Sequence, residues 1–281
     1  MTTTASDPNR IHWEATARDE ETDWAALATE PDGIDEERVD DPAGLWLRPR
    51  DALPGTAVLA IHGGGFISGS AATHRRMFGH LARAAGLATF ATEYGLVPEH
   101  VFPSQIETVM HAYRRLLDGG ATRVAVVGDS CGAGLALAVA LTARDSEVAP
   151  PVSMLLISAW VDLEATGGSY DTGSDPFFTR ELVRALGAGY LAGADPRDPL
   201  AGALHADAHD LPPTYLQVGA DEALLDDSRR LADHLRDSGV DVRIDEFAGQ
   251  LHTFPMAAGR TAVADDAIKR AGLWLRSTMN S

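Results

Sequence analysis

Residues 128–132 of this chain, Gly128-Asp129-Ser130-Cys131-Gly132, form a pattern typical of a serine nucleophile. The pattern follows the apolar segment RVAVV and precedes the helix-forming segment LALAVAL. Between a strand and a helix, a G-x-S-x-G run makes a tight turn that strains the serine backbone and projects its hydroxyl above the sheet. The helix N-terminus adds a positive dipole beside the anion that forms in acyl transfer. The sequence therefore predicts that Ser130 is a catalytic nucleophile.

A second motif, His62-Gly63-Gly64-Gly65, directly follows the apolar segment AVLAI. Acyl transfer places negative charge on the substrate carbonyl oxygen, and backbone N–H groups aimed at that oxygen stabilise it. Glycines without side chains let the substrate approach those amides closely. We predict an oxyanion hole formed by the amides of Gly63, Gly64 and Cys131. We expect His62, which precedes the serine in the chain, to brace the loop.

The general base is predicted by elimination, since in this arrangement the serine is followed first by an acid and then by a histidine. Four of the ten histidines follow Ser130, namely His205, His209, His234 and His252. The first two lie in an irregular loop and the third lies inside a helical pattern. His252 alone lies in a loop after a late strand, in the segment GQLHTF. We therefore predict that His252 is the base.

The acid is expected just past the strand TYLQV, where a carboxylate can reach the imidazole and hold its tautomer. Asp221 is the first carboxylate after that strand. Glu222, Asp226 and Asp227 follow it and are interpreted as surface or helix-start residues. Asp162, after the preceding strand, is the rival. We predict Asp221 as the acid.

These residues need a scaffold in which strands alternate with helices. Apolar runs predict strands at Leu45–Arg48, Ala57–Ile61, Leu87–Glu93, Arg123–Val127, Val152–Ile157, Thr214–Val218 and Val242–Phe247. Helical patterns lie at Thr73–Ala85, Ser104–Asp118, Ser130–Ala143, Thr179–Leu191, Ala223–Ser238 and Thr261–Met279. Strands that are apolar on both faces suit a mostly parallel sheet with helices on both sides.

The acidic segment 19–41 stands apart and is interpreted as a solvated face, either a mobile arm or a helix that covers another part of the protein.

Composition excludes several classes of function. The chain has 281 residues, 23 basic against 41 acidic, and a net charge of −18, which disfavours nucleic acid as a partner. A single cysteine, Cys131, excludes an internal disulfide framework and a cysteine-rich zinc site. His205 and His209 lie in HADAHD, which looks like a metal cluster but is interpreted as a polar loop. We expect no metal, no cofactor, no membrane span and a cytoplasmic location, and a homodimer is one of the oligomeric states that the sequence allows.

Taken together, the motifs HGGGFISGS, YGLVPEHVFP, GDSCGAG, SAWVDLEATG, VGADEALLDD and HTF resemble the bacterial hormone-sensitive-lipase-like family of α/β-hydrolases. The resemblance covers the chain from about Leu45 onward, and it is greatest to monoterpene ε-lactone hydrolases and related carboxylesterases. It implies the α/β-hydrolase fold, with Ser130 as nucleophile, Asp221 as acid and His252 as base. It also implies oxyanion donors at Gly63, Gly64 and Cys131.

The resemblance further implies a small helical cap over a catalytic domain at residues 44–281. The cap is expected to consist of residues 1–43 and an insertion at about 163–210. Six aromatic residues are candidates for the lining of the substrate pocket: Phe66, Trp160, Phe177, Phe178, Tyr190 and Phe254. The chain departs from the family pattern at GDSCGA, where the family has GDSAGG, and at YGLVPE, where it has YRLAPE. Neither departure removes a catalytic group.

The expected activity is hydrolysis of carboxylic esters with short to medium acyl chains, or of small lactones, through an acyl-enzyme. An alternative on the same scaffold is a thioesterase, an amidase, or a dehydratase or cyclase of a natural-product pathway. A more remote alternative is a non-catalytic small-molecule receptor. Receptors on this scaffold typically lack one member of the triad.

Overall fold

The computed structural model describes residues 7–280, which fold into a central sheet with helices on both faces. The strands are β1 (Ile34–Asp40), β2 (Ala43–Pro49), β3 (Thr56–Ile61), β4 (Thr89–Thr92), β5 (Arg123–Asp129), β6 (Ser153–Ile157), β7 (Thr214–Gly219) and β8 (Val242–Phe247). The helices are α1 (Pro8–Thr16), α2 (Ala71–Ala85), α3 (Ser104–Asp118), α4 (Cys131–Arg144), α5 (Arg180–Leu191), α6 (Leu225–Asp237) and α7 (Ala262–Thr278).

The sheet order is β1-β2-β4-β3-β5-β6-β7-β8. Strand β2 pairs antiparallel with both β1 and β4. The other six strands, β3 to β8, run parallel to one another. Because the carboxyl ends of parallel strands meet at one edge of the sheet, the loops after β3, β5, β7 and β8 are brought together there. These loops carry all four motifs on which the predicted site depends.

Strand side chains alternate between two cores. On β3, Leu59 and Ile61 face the side covered by α3, α4 and α6, whereas Val58 and Ala60 face the side covered by α2 and α7. Side chains of successive strand residues point to opposite faces, so a strand buried on both sides must be apolar throughout. The predicted α/β-hydrolase fold is confirmed, and every predicted strand and helix is present with bounds that differ by at most two residues.

Two elements near the N-terminus were not predicted, and one of them, β1, bears on the expected domain boundary. β1, with the sequence IDEERVD, is an edge strand whose side chains are mostly exposed, so it lacks the apolar signal of the inner strands. Because β1 belongs to the central sheet, the expected cap segment at residues 1–43 is too long. Helix α1 buries Asn9, His12, Trp13 and Ala15, and two polar side chains among four are unusual for a packed face.

Within residues 7–280, no helix is both long and apolar enough to cross a membrane.

Candidate active site

The turn at Ser130 joins the end of β5 directly to the start of α4. Ser130 has a φ of 54° and a ψ of −125°, a conformation that few side-chain-bearing residues adopt. A Cβ at Gly128 would collide with the backbone of Gly132, and a Cβ at Gly132 would collide with the carbonyl of Ile61. Both glycines are therefore required for the helix to start so close to the sheet. The turn holds Ser130 at the edge of a cavity.

The structure brings His252 to Ser130, although 122 residues separate them in the chain. The distance from His252 Nε2 to Ser130 Oγ is 2.9 Å, within hydrogen-bond range. His252 lies in the loop after β8 and is almost completely buried. In this position the imidazole can accept the hydroxyl proton of the serine.

The carboxylate beside the imidazole belongs to Glu222, not to Asp221. Glu222 Oε1 lies 3.4 Å from His252 Nδ1, and the residue is only 1% exposed. Its other oxygen, Oε2, accepts hydrogen bonds from the Ser158 hydroxyl at 2.7 Å and from the Gly219 amide at 2.9 Å. An Nδ1–H that donates to Glu222 leaves Nε2 free to accept from the serine.

The prediction of Asp221 as the acid is therefore corrected. The Asp221 side chain is 38% exposed and pairs with Arg10 at 3.2 Å. The turn after β7 directs the side chain of Asp221 outward and that of the next residue inward, so the first carboxylate after the strand is the wrong one. The rival, Asp162, binds Arg230 and Thr166 and takes no part in the site. The sequence signal that could have indicated Glu222 is its position directly before the apolar run ALL.

The oxyanion loop also differs from the prediction. The amide of Gly63 donates to Asp129 Oδ1 at 3.1 Å, so it does not face a substrate. Gly64 and Gly65 line the cavity beside Ser130. Within the described residues 7–280, the amides of Gly64 and Cys131 have no hydrogen-bond acceptor. The structure therefore retains Gly64 and Cys131 as candidate oxyanion donors and removes Gly63, because a carboxylate already occupies its amide.

Asp129 supports this loop, and sequence reasoning missed it. Besides Gly63, the buried carboxylate of Asp129 contacts His74, whose Nε2 lies 3.2 Å from Oδ2. His74 Nδ1 in turn lies 2.9 Å from the Thr73 hydroxyl at the start of α2. Buried carboxylates need partners, so a charged residue at the end of an apolar strand was the available signal. The pair links the nucleophile turn to the loop after β3.

His62 lies where it was expected, within the loop and away from the serine. Its Nδ1 is 2.8 Å from the Gly63 carbonyl oxygen, and its ring stacks on Tyr94 with the centroids 4.2 Å apart. Burial lowers the pKa of His62 to about 3, so the imidazole is neutral near pH 7. It contributes packing to the loop rather than charge.

Cys131 follows the nucleophile, but its thiol faces the core. The residue is completely buried, and its Sγ lies 3.7 Å from the Tyr94 hydroxyl. Burial raises the pKa of the thiol to about 11. The side chain is therefore inert toward the site, and only the backbone amide of Cys131 remains a candidate for a role in it.

A cavity of about 450 Å³ opens at Ser130 and His252. It is lined by His12, Trp13, Thr16, Thr22, Asp23, Trp24, Gly64, Gly65, Ile67, Ser68, Gly69, Thr73, Asp129, Ser130, Phe177, Phe178, Leu182, Leu186, His252 and Thr253. Part of this wall comes from residues 12–24, so the segment that begins with α1 and continues into the acidic region does cover the site. The wall is mostly apolar, as in pockets that bind small organic molecules.

Of the six aromatic residues predicted to line the pocket, only Phe177 and Phe178 do so. Phe66 stacks on Tyr190 with the ring centroids 3.7 Å apart, and Trp160 packs against Phe66. Phe254 packs against Phe247 in a separate small core. These four are corrected to core residues. Beside Phe177 and Phe178, the cavity is lined by two aromatic residues that were not predicted, Trp13 and Trp24.

The two histidines of HADAHD lie beside different carboxylates. His205 lies 3.6 Å from Glu164, and His209 lies 2.7 Å from Asp207 at the exposed surface. Across residues 7–280, no group of three or more histidine, cysteine or acidic side chains could hold a metal ion.

The chain was also compared with known proteins. A family model described as alpha/beta hydrolase fold matches residues 58–256. An acetyl-hydrolase from Streptomyces hygroscopicus is 37% identical over 240 residues, covering 83% of this chain and 79% of that protein. An esterase from Acinetobacter venetianus is 34% identical over 204 residues, covering 71% of this chain and 67% of the relative. A crystal structure of an esterase from the bacterial hormone-sensitive lipase family superimposes with a TM-score of 0.90 at 34% identity, over 98% of this chain and 100% of that one.

A mostly parallel sheet with a serine turn after its fifth strand defines an α/β-hydrolase, and the chain belongs to that family. Within the family it belongs with the esterases of the bacterial hormone-sensitive lipase group, and it is a carboxylic-ester hydrolase.

Proposed function

We propose that the protein hydrolyses carboxylic esters with short to medium acyl chains, or small lactones, through an acyl-enzyme formed on Ser130. The observation that carries the proposal is the 2.9 Å contact between Ser130 Oγ and His252 Nε2 at the edge of an apolar cavity. Glu222 lies behind the imidazole, and the free amides of Gly64 and Cys131 lie beside the serine. This set supplies a nucleophile, a base, an acid and oxyanion donors.

In the first half-reaction, His252 takes the proton of the Ser130 hydroxyl as its oxygen attacks the ester carbonyl carbon. The carbonyl oxygen becomes an anion, which accepts hydrogen bonds from the amides of Gly64 and Cys131. The tetrahedral species collapses, the bond to the alcohol oxygen breaks, and the imidazolium of His252 protonates that oxygen. The products are a free alcohol and an acyl ester of Ser130.

In the second half-reaction, His252 takes a proton from water as the water oxygen attacks the acyl ester. The same amides stabilise the second tetrahedral anion. When this anion collapses, Ser130 leaves with the proton held by His252 and the carboxylic acid is released. Glu222 accepts from Nδ1 throughout and stabilises the imidazolium in both halves.

The size of the cavity supports the preference for small acyl groups. A volume of about 450 Å³ lies toward the lower end of the range for small-molecule pockets. Residues of α1 and residues 22–24 form part of its wall. The name acetyl-hydrolase, carried by the Streptomyces hygroscopicus relative, agrees with a small acyl group.

A substrate series tests this proposal. The p-nitrophenyl esters of acetate, butyrate, octanoate and laurate would be compared by kcat/KM, together with small aliphatic lactones. We expect the highest kcat/KM for acetate or butyrate and a steep fall at laurate. A series that peaks at laurate would contradict the assignment of small acyl groups. Absence of hydrolysis of any ester by the folded protein would contradict the proposed function as a whole.

A further inference from the structure

The peptide group between His252 and Thr253 is held at both ends by side chains distant in sequence. Its carbonyl oxygen accepts hydrogen bonds from Trp13 Nε1 at 2.7 Å and from Asn9 Nδ2 at 3.0 Å. Its amide donates to Ser158 Oγ at 2.9 Å, and that hydroxyl donates to Glu222. One peptide group next to the base is therefore linked to the acid on one side and to helix α1 on the other.

This peptide needs such support because of the backbone that follows it. Thr253 has a φ of 51° and a ψ of 34°, the left-handed region that a β-branched residue rarely adopts. A conformation of this kind persists only where surrounding contacts over-determine it. The two donors on the His252 carbonyl supply part of that constraint.

Helix α1 is built to present both donors on one face. Asp7 caps the helix by accepting from the Asn9 amide at 2.9 Å, and Pro8 occupies its first turn. Asn9 and Trp13 are four residues apart, so their side chains lie on the same side of the helix. Both are buried, at 1% and 3% exposure. Buried amide and indole N–H groups need acceptors, and here both have the same one.

A third residue of α1 fastens the loop that carries the base. Arg10 donates to the Gly249 carbonyl at 3.1 Å and pairs with Asp221 at 3.2 Å. The helix therefore contacts both the turn that carries the acid and the loop that carries the base. Asn9, Trp13 and Arg10 of this helix therefore all contact the part of the protein that holds His252.

We propose that Asn9 and Trp13 are positioning residues that orient the His252 imidazole toward Ser130 through the 252–253 peptide. The inference rests on the proposed function and extends it, because it makes α1 part of the apparatus that aligns the base as well as a wall of the cavity. Loss of either donor frees the carbonyl, the peptide rotates, and Nε2 moves away from the serine hydroxyl. The two contributions of α1 are separable, since Trp13 lines the cavity and Asn9 does not.

The test compares Asn9→Leu, Asn9→Asp and Trp13→Phe with the wild type and with Ile11→Ala. Ile11 is on the same helix but is 48% exposed, so its replacement controls for general disturbance of α1. Each protein would be assayed for kcat and KM with p-nitrophenyl acetate, for the rate of reaction with a fluorophosphonate, and for Tm. Asn9→Asp keeps the shape of the side chain but removes the donor whenever the new carboxyl is ionised.

We expect Asn9→Leu to lower kcat and the phosphonylation rate together by about 10- to 100-fold, the cost of a displacement of the order of 1 Å at a reacting group. KM should change little, because Asn9 does not contact the cavity. Asn9→Asp should recover activity relative to wild type as the pH falls, because a protonated carboxyl can donate again. Trp13→Phe should lower kcat in the same way while keeping an aromatic wall.

Wild-type kcat and phosphonylation rate in both Asn9→Leu and Trp13→Phe, with the proteins folded by Tm, would overturn the inference. An equal loss in Ile11→Ala would also overturn it, because the effect would then belong to the helix as a whole. If Asn9→Leu does not fold, the milder Trp13→Phe and the pH profile of Asn9→Asp decide the question. Failure of the wild type itself to react with the fluorophosphonate would contradict the proposed function instead.

Discussion

The Ser158 hydroxyl donates to Glu222 Oε2 at 2.7 Å, which ties the end of β6 to the turn after β7. Ser158 Oγ also accepts a hydrogen bond from the Thr253 amide at 2.9 Å, so Ser158 contacts the loop that carries His252. Ser158 itself has a φ of 48°, a strained value like those of Ser130 and Thr253. Two of these strained residues, Ser130 and Ser158, directly follow the neighbouring strands β5 and β6, and Thr253 lies in the loop after β8.

Replacement of the acid distinguishes Glu222 from Asp221. Glu222→Gln should lower kcat by about 10³- to 10⁴-fold, because an amide holds the imidazole in the wrong tautomer. Asp221→Asn should stay close to the wild type, because Asp221 is half-exposed and pairs with Arg10. The measurement is kcat/KM for p-nitrophenyl acetate with Tm as a check of folding. The reverse order of effects would restore Asp221 as the acid.

Replacement of Asp129 tests the support of the oxyanion loop. Asp129→Ala removes the acceptor of the Gly63 amide and the partner of His74, so the loop should lose its alignment. We expect kcat to fall by about 100-fold, comparable to the loss of one oxyanion donor. Asp129→Asn is the matched control, because its amide oxygen can still accept from Gly63 while its amide nitrogen donates to His74. Wild-type activity in Asp129→Ala would show that these contacts do not support catalysis.

The Cys131 thiol should be unreactive in the folded protein. Its complete burial and its raised pKa, about 11, leave no accessible thiolate at neutral pH. A chromogenic thiol reagent should therefore leave native protein and its ester hydrolysis unchanged, and should label one thiol per chain after unfolding in urea. Labelling of the native protein, with loss of activity, would mean that the thiol opens to the cavity.

Acid should destabilise the protein partly through His12. Burial lowers the pKa of His12 from 6.5 to about 4. Between these values the unfolded chain carries a proton on this residue and the native protein does not, so the free energy of unfolding decreases as the pH falls. A single such group contributes a slope of at most about 1.4 kcal/mol per pH unit. His12→Gln keeps an acceptor for Trp24 Nε1 but does not titrate.

Urea unfolding across that pH window would measure the difference. We expect the slope of unfolding free energy against pH to be smaller in His12→Gln than in the wild type, and the two slopes to agree above pH 6.5. Identical slopes throughout would mean that His12 titrates normally in the native state.

The residues with strong local signals were placed correctly from sequence. Gly128 and Gly132 are required by close backbone contacts, and the inner strands are apolar on both faces, so both leave clear patterns. Chain order and loop position pointed to His252, and the structure brings it to Ser130. The sequence was sufficient to predict a residue's place where its local backbone conformation tolerates only one type of residue.

The remainder depended on tertiary contacts that no local pattern encodes. The direction of one turn decides between Asp221 and Glu222, and adjacent carboxylates in sequence do not reveal it. The Gly63 amide donates to Asp129, 66 residues away in the sequence, and is therefore not available to a substrate. Helix α1 was missed because its buried face includes the polar residues Asn9 and His12. Asn9 and Trp13 donate to a carbonyl more than two hundred residues away in the sequence, so no local pattern reveals why they are buried.

The central claim is that Ser130 is activated by His252, and intact mass after exposure to a fluorophosphonate tests it without a guess about the substrate. Only a serine with an aligned base and oxyanion donors reacts quickly with this reagent. We predict a single adduct on the wild type and none on Ser130→Ala, with a greatly slowed reaction in His252→Ala. An unmodified wild type that is folded by Tm, or an adduct that persists in Ser130→Ala, would contradict the assignment of Ser130 as the nucleophile.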